Sequence, residues 1–330
     1  MTFPVHRSDE ATPEQRGEAF GRAMATQVQH TVAVYRRMFA ERNARVPDEL
    51  PPHLEIDAIA RGANVDPHAL RAVNARTEIL AGADECSVQG AGGLLAQNWD
   101  WHPDLSASTV IHIVEHPHGW FATLTEAGIL AKIGLNGHGL GVCLNILRTS
   151  ADGGTDGTPI HLLIHQTLST AATVDEAIAR LTAATVSASS AVTVATPGDV
   201  AHVELNPGGA NVIRGAVGAH TNHFIEPPKR GIDVMAAESP TTRQRLEVVK
   251  TQPLLDALRD HTGHPKGVCR HVDPADPWVE QTVTVASVVM NLEKLRLHVA
   301  DGPPCTHEHQ EVTLPTRRAS SGRLASTAAR

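Results

Sequence analysis

Aromatic residues make up only 3% of this 330-residue chain, with a single tyrosine. The core is therefore expected to be built mostly from Ala, Val, Leu and Ile. Cysteine is also sparse. Cys86, Cys143, Cys269 and Cys305 contain no Cys-x-x-Cys pair, a spacing that supports neither a disulfide framework nor a structural zinc site. No apolar run is long enough for a transmembrane helix. The opening MTFPVHRSDEATPEQRGE lacks the apolar segment of a secretory signal, so cytoplasmic residence is the default expectation. Positive charge is in deficit. With 28 Lys and Arg against 36 Asp and Glu, the net charge is −8. No basic field exists to hold nucleic acid or an anionic membrane, and neither is an expected partner.

Histidine is plentiful, at 20 residues. His112, His116 and His118 cluster, as do His307 and His309, without the spacing of a helical zinc motif. The expectation is no metal and no cofactor. Hydrophobic residues at 41% and charged residues at 19% allow a sizeable core and argue against global disorder.

Along the chain, Thr12-Pro13-Glu14-Gln15 reads as a capped helix start. Phe20, Met24, Val28, Val32, Tyr35 and Phe39 then recur at helical spacing, which predicts one long amphipathic helix to about Arg42. Asp66 caps a second helix predicted over Pro67 to Leu80. After Gly82 the pattern turns to strands: Gly93 to Trp101, Thr109 to Glu115, Phe121 to Thr125 and Gly141 to Ile146. Helices are predicted from Pro159 to Ala171 and after Thr173, where Thr173 and Glu176 form a capping box. Ala191 to Thr196 and Val200 to Leu205 flank the turn Pro197-Gly198-Asp199, a hairpin. Ser239 to Arg259 reads as broken helix, and Val283 to Asn291 with Leu295 to Ala300 as a final strand pair. Residues 1–315 are read as one domain and 316–330 as a disordered tail. Helices, then strands, then helices, then strands predict antiparallel sheets with helices packed outside.

The segments that carry chemistry come in order: Asn74-Ala75-Arg76-Thr77-Glu78, Asp84-Glu85-Cys86-Ser87, Gln97-Asn98-Trp99-Asp100-Trp101, Gly134-Leu135-Asn136, Val142-Cys143-Leu144-Asn145, His220-Thr221-Asn222-His223, Cys269-Arg270-His271 and Gly302-Pro303-Pro304-Cys305. As a set, from the Arg16-Gly17 helix to Cys305, they resemble peptidase family C45, which includes the acyl-coenzyme A:6-aminopenicillanic acid acyltransferases. More distantly the chain is similar to bile salt hydrolases and penicillin V acylases. The resemblance implies an α+β fold of the N-terminal nucleophile (Ntn) hydrolase type, a four-layer αββα sandwich with two antiparallel sheets.

It also implies a precursor that cuts its own Glu85–Cys86 bond. The α and β fragments would stay together, and Cys86 would become an N-terminal nucleophile. Here Glu85 stands where the relatives carry Gly, adding a side chain beside the scissile carbonyl. The chemistry is self-consistent. A thiol needs a base, and a new α-amine, with an ordinary pKa of about 7.7–8.0, can take its proton. One residue then supplies both groups.

Asp100 matches the aspartate of the family's asparagine-aromatic-aspartate motif. A hairpin turn at Gly90 to Gly93 would bring it beside the Cys86 amine. Asn222 and Asn145 are candidate oxyanion donors, neutral groups that can stabilise a tetrahedral intermediate. The family's late basic residue falls on Lys294 or Arg296, with Arg296 preferred for substrate binding. Cys269 and His271 lie two apart on a loop, an arrangement that seldom gives catalytic contact.

The expected substrate is the amide of a small N-acylated metabolite of secondary metabolism. Its acyl group would pass through an acyl-cysteine to water or to an amine. Two other readings stay open: a non-catalytic binding protein on the same fold, and a thioesterase using Cys86.

Overall fold

The computed structural model describes residues 3–80, 86–116, 119–215 and 218–315. Glu85 and the expected tail from residue 316 lie outside these.

The chain opens with β1 (Val5–Ser8), α1 (Pro13–Ala23), α2 (Ala25–Glu41), α3 (Leu54–Ala63), α4 (Pro67–Asn74) and α5 (Arg76–Leu80). Strands follow: β2 (Cys86–Ala91), β3 (Leu94–Trp101), β4 (Thr109–His116), β5 (Gly119–Glu126), β6 (Ile133–Asn136) and β7 (Gly141–Ile146). Next come α6 (Ile160–Thr170), α7 (Val174–Ala183), β8 (Ser190–Thr196), β9 (Asp199–Asn206), β10 (Gly209–Gly215) and β11 (Gly218–His220). The last group is α8 (Met235–Glu238), α9 (Thr242–Thr251), α10 (Leu254–Leu258), β12 (Val283–Asn291), β13 (Arg296–Ala300) and β14 (Gln310–Val312).

The first helix forms as its cap predicts: Gln15 N donates to Thr12 Oγ1 at 3.2 Å. It does not run unbroken to Arg42. Met24 leaves helical geometry at φ −110° and ψ 26°, dividing α1 from α2. Helix α1 packs closely on α3. Gly17 and Gly21 let its backbone touch that of α3, so closely that a Cβ on Gly21 would lie 2.2 Å from Ile59 O. Gly62 answers from α3, where a Cβ would lie 2.4 Å from Glu18 O. The apolar stripe hides this break, because both helices keep their stripe on the core. The second predicted helix also divides, at Ala75 (φ −101°, ψ 20°). There the Asn74 side chain donates to Gly128 O at 2.8 Å and accepts from Leu130 N at 3.1 Å, tying the break to the β5–β6 connection.

Two sheets form, in the orders β1-β4-β5-β6-β7-β8-β9-β10 and β11-β2-β3-β12-β13-β14. Pairing among the described residues is antiparallel except at one edge, where β1 runs parallel to β4. The expectation of two antiparallel sheets holds except at that edge. The helical segment between β1 and β4 supplies the crossover that a parallel pair needs. The β2–β3 hairpin turns at Gly92 and Gly93, both at positive φ (58° and 78°), which a two-residue turn of this hand requires.

Each sheet buries both faces. Val142, Leu144, Val192 and Val194 of the eight-stranded sheet pack outward on Leu163, Ile164 and Leu181 of α6 and α7. Ala219 of the six-stranded sheet packs with Leu246, Val249 and Ala257 of α9 and α10. Between the sheets lie Val88, Leu95, Trp99, Cys143, Val288 and Met290, joined to the side chains of α1 to α5. The layers run helix, sheet, sheet, helix, in an α+β arrangement.

Candidate active site

Cys86 is the first residue of β2 and is 3% exposed. Its register partner on β3 is Trp99. Directly opposed residues share a face and successive residues alternate, so Cys86 and Trp99 face the inter-sheet space while Asp100 points to the other face. On the other side of β2, His220 of β11 pairs with Val88. Continuing that ladder two residues brings Asn222 level with Cys86.

Asn222 Oδ1 accepts the Cys86 N–H at 2.8 Å. The same oxygen accepts from Arg245 Nη2 at 3.1 Å, while Asn222 Nδ2 donates to Ile146 O at 2.9 Å. Two donors on one end of the amide and a carbonyl at the other fix which end is oxygen. The Asn222 backbone is pinned as well, its N–H donating to Thr242 Oγ1 at 2.9 Å. Across the inter-sheet space, Asn145 Nδ2 on β7 donates to Cys86 O at 2.9 Å. Arg245 Nη1 donates to that same oxygen at 3.0 Å and to Ser87 Oγ at 3.0 Å. Cys86 is thus gripped at both main-chain polar atoms by side chains from β7, the segment after β11, and α9.

Cys143 shares the inner face of β7 with Asn145. Burial, and secondarily the charge of a Cys86 thiolate, push its thiol well up, so Cys143 stays protonated.

The Asp100 carboxylate accepts from Thr284 Oγ1 at 2.6 Å and faces Arg270 Nε at 3.8 Å. The Cys86 Sγ lies 3.9 Å from the Asp100 main-chain oxygen. The expected hairpin forms, but the alternation of side chains along β3 turns this carboxylate to the face opposite the thiol.

Arg296 is not brought to Cys86. It faces Glu311 at 3.6 Å with its side chain 54% exposed. Arg296 pairs with Asn291, Asn291 with Leu94, and Leu94 with Ala91. It therefore sits level with the far end of β2, about 17 Å along the strand direction from Cys86 at ~3.4 Å per residue. Lys294 lies in the same distal turn, with its N–H on Asn291 Oδ1 at 2.9 Å.

Sequence reasoning missed Arg245. Its only clue is position: it lies three residues after Thr242, on the same face of α9, and Thr242 is the residue that holds Asn222. It also missed a charged group behind Trp99. Lys132 Nζ lies 4.0 Å from the centre of that ring and forms a buried ion pair with Glu126. Tyr35 donates to Glu126 at 2.7 Å and accepts from Trp101 Nε1 at 2.9 Å. Burial acts to raise the Glu126 carboxyl, but Lys132 and Arg76 outweigh it and hold the group below its ordinary value. A cleft of about 270 Å³ opens beside this region, lined by Trp101, Arg148, Glu238, Lys266, Arg270 and Gln281 among others.

Among solved structures, the chain is similar to penicillin V acylase from Agrobacterium tumefaciens, at 16% identity over 66% of this chain and 82% of that one, with a TM-score of 0.43. It is also similar to an arginine-to-leucine variant of conjugated bile acid hydrolase from Clostridium perfringens, at 13% identity over 69% of this chain and 92% of that one, with a TM-score of 0.47. The model of the family described as acyl-coenzyme A:6-aminopenicillanic acid acyl-transferase matches residues 87–300, well over half of the chain. The match begins one residue after Cys86, and the chain belongs to that family.

Proposed function

We propose that this protein is an autoprocessing cysteine amidohydrolase or acyltransferase in which Cys86 is nucleophile and base. The observation that carries the reading is the grip on Cys86: Asn222 on its nitrogen, Asn145 and Arg245 on its carbonyl oxygen. Cleavage of the Glu85–Cys86 bond turns that nitrogen into an α-amine already held by a fixed acceptor. An amine so placed can take the proton of its own thiol, directly or through one water. The Arg245 charge beside it lowers its proton affinity and keeps it a free base nearer neutral pH.

In the acylation step the Cys86 thiolate attacks the amide carbonyl, forming the C–S bond and a tetrahedral oxyanion. As the C–N bond breaks, the α-ammonium returns its proton to the departing amine. Water or a second amine then attacks the thioester, and its proton goes to the Cys86 amine as the thiol is regenerated. Asn145 carries two amide N–H groups, of which one is spent on Cys86 O; the second is the oxyanion donor in this scheme. Asn222 holds the amine through its oxygen. Asp100 acts through Thr284 and Arg270, shaping the strand behind the nucleophile.

Trapping tests this. Mature protein mixed with a panel of N-acyl p-nitroanilides and acyl thioesters is quenched in acid and weighed intact. The reading requires an acyl adduct on a peptide beginning at Cys86, absent from Cys86→Ala. Turnover with an adduct elsewhere, or turnover retained in Cys86→Ala, overturns it.

A further inference from the structure

Three side chains of one loop and a fourth from after β13 converge on the outer side of the six-stranded sheet. The ligand atoms of His261, Cys269, His271 and Cys305 all lie within 4.8 Å of one another. We propose that they form a tetrahedral Cys2His2 zinc site. It is independent of the reading of Cys86, and its failure would leave that reading untouched.

The separations support this. With Zn–S of about 2.3 Å and Zn–N of about 2.0–2.1 Å, a tetrahedron has S···N edges of about 3.6 Å and an N···N edge of about 3.3 Å. Here Cys305 Sγ lies 3.5 Å and Cys269 Sγ 3.8 Å from His271 Nε2, and His261 Nε2 lies 3.1 Å from it. One ring nitrogen thus stands at tetrahedral-edge distance from three other donors. A hydrogen-bonded cluster has little reason to place two imidazoles and two thiols this way, since each thiol is a weak donor and acceptor. Two thiolates balance the charge of a divalent cation, and four protein ligands close its shell, which marks a structural site rather than a catalytic one.

The surroundings give the ion a task. Residues 259–282 contain no helix or strand beyond the short turn Trp278–Glu280. Cys269 and His271 flank Arg270, whose guanidinium faces Asp100 and donates to Thr282 Oγ1 at 2.9 Å. Cys305 lies in the segment after β13. Zinc would fasten this loop to that segment and set Arg270 against the strand that carries Asp100. The sequence hides the site because the ligands are spaced by eight, two and thirty-four positions, and no Cys-x-x-Cys pair advertises it.

The test uses the full chain expressed without a histidine tag and purified in chelator-free buffer. Metal analysis should find about one zinc per chain, as a structural site binds tightly enough to survive purification. The Cys269→Ser, Cys305→Ser double variant should lose it. Because that variant can also fail to fold, wild-type protein stripped of metal is titrated with Co2+. A tetrahedral thiolate site gives intense visible d–d bands and a sulfur-to-cobalt charge-transfer band. Titration with Zn2+ should bleach both and raise Tm. Three results overturn the proposal: zinc below about a tenth of an equivalent in wild type together with no thiolate–cobalt spectrum, unchanged zinc content in a folded double variant, or a Cys269–Cys305 disulfide in the protein as isolated, seen as the loss of two hydrogens in the intact mass.

Discussion

Asn222 Oδ1 lies 2.8 Å from the backbone nitrogen of Cys86 and accepts its hydrogen. In the proposed maturation that nitrogen would change from amide to amine. Asn222→Ala removes its fixed acceptor. We expect kcat to fall by about 10²-fold, the scale of a small misplacement of a reacting group, while the circular dichroism spectrum is unchanged. Turnover within about twofold of wild type would remove Asn222 from this role.

Arg245 is a positioning residue that also carries charge. Its guanidinium touches Cys86 O and Asn222 Oδ1. Positive charge disfavours protonation of the nearby amine, so Arg245→Gln raises the amine pKa. If the free amine is the base, as proposed, the acidic limb of kcat/KM moves to higher pH. Arg245→Lys keeps the charge and should keep the limb. A purely structural role would lower activity in both variants without moving either profile.

Glu78 links stability to pH. Burial pushes its carboxyl from 4.5 up to about 7, against the Ile160 N–H and Arg76. The folded chain therefore holds this proton across a window in which the unfolded chain has released it. Stability falls as pH rises through that window, by an amount on the order of 3 kcal/mol at ~1.4 kcal/mol per unit. Glu78→Gln removes the fall. Buried histidines such as His165 and His202, pushed down to about 3 by burial, slope the other way but are common to both proteins. Urea midpoints should diverge in favour of the variant between about pH 5 and about pH 8; parallel curves would contradict the assignment.

Gly21→Ala tests the close contact between α1 and α3. The added Cβ meets Ile59 O, backbone that cannot swing aside. Despite the better helix propensity of Ala, the variant should lose about 1–3 kcal/mol, the usual cost of overpacking. A midpoint equal to or above wild type would mean that α1 and α3 separate easily.

The sequence carried those features that depend on neighbours along the chain. Thr173 caps α7 as expected, its hydroxyl accepting from Glu176 N at 3.2 Å. The β8–β9 hairpin closes with Thr196 opposite Asp199, and β7 spans Gly141–Ile146 as its pattern predicts. The ordered segments placed Cys86, Asn145 and Asn222 in one candidate site, and the structure brings these three together. Features set by distant partners were hidden. Helix α3 has Ile56, Ile59, Ala60 and Ala63 on its buried face, but Gly62 within it blunts the helical signal. Arg245 meets a carbonyl 159 residues away, and nothing near it separates it from Arg243. For Arg296, the strand pair was legible but not which end of the sheet it would occupy, and a hairpin's pattern does not say.

The central claim is that Cys86 frees its own amine, and intact mass under denaturing conditions tests it most directly. Full-length protein, purified and incubated alone, should yield two masses, a fragment ending at Glu85 and one beginning at Cys86, 85 and 245 residues long. Cys86→Ala should remain one 330-residue chain. Wild type that stays whole through prolonged incubation, or a Cys86→Ala chain that splits at the same bond, would contradict the account.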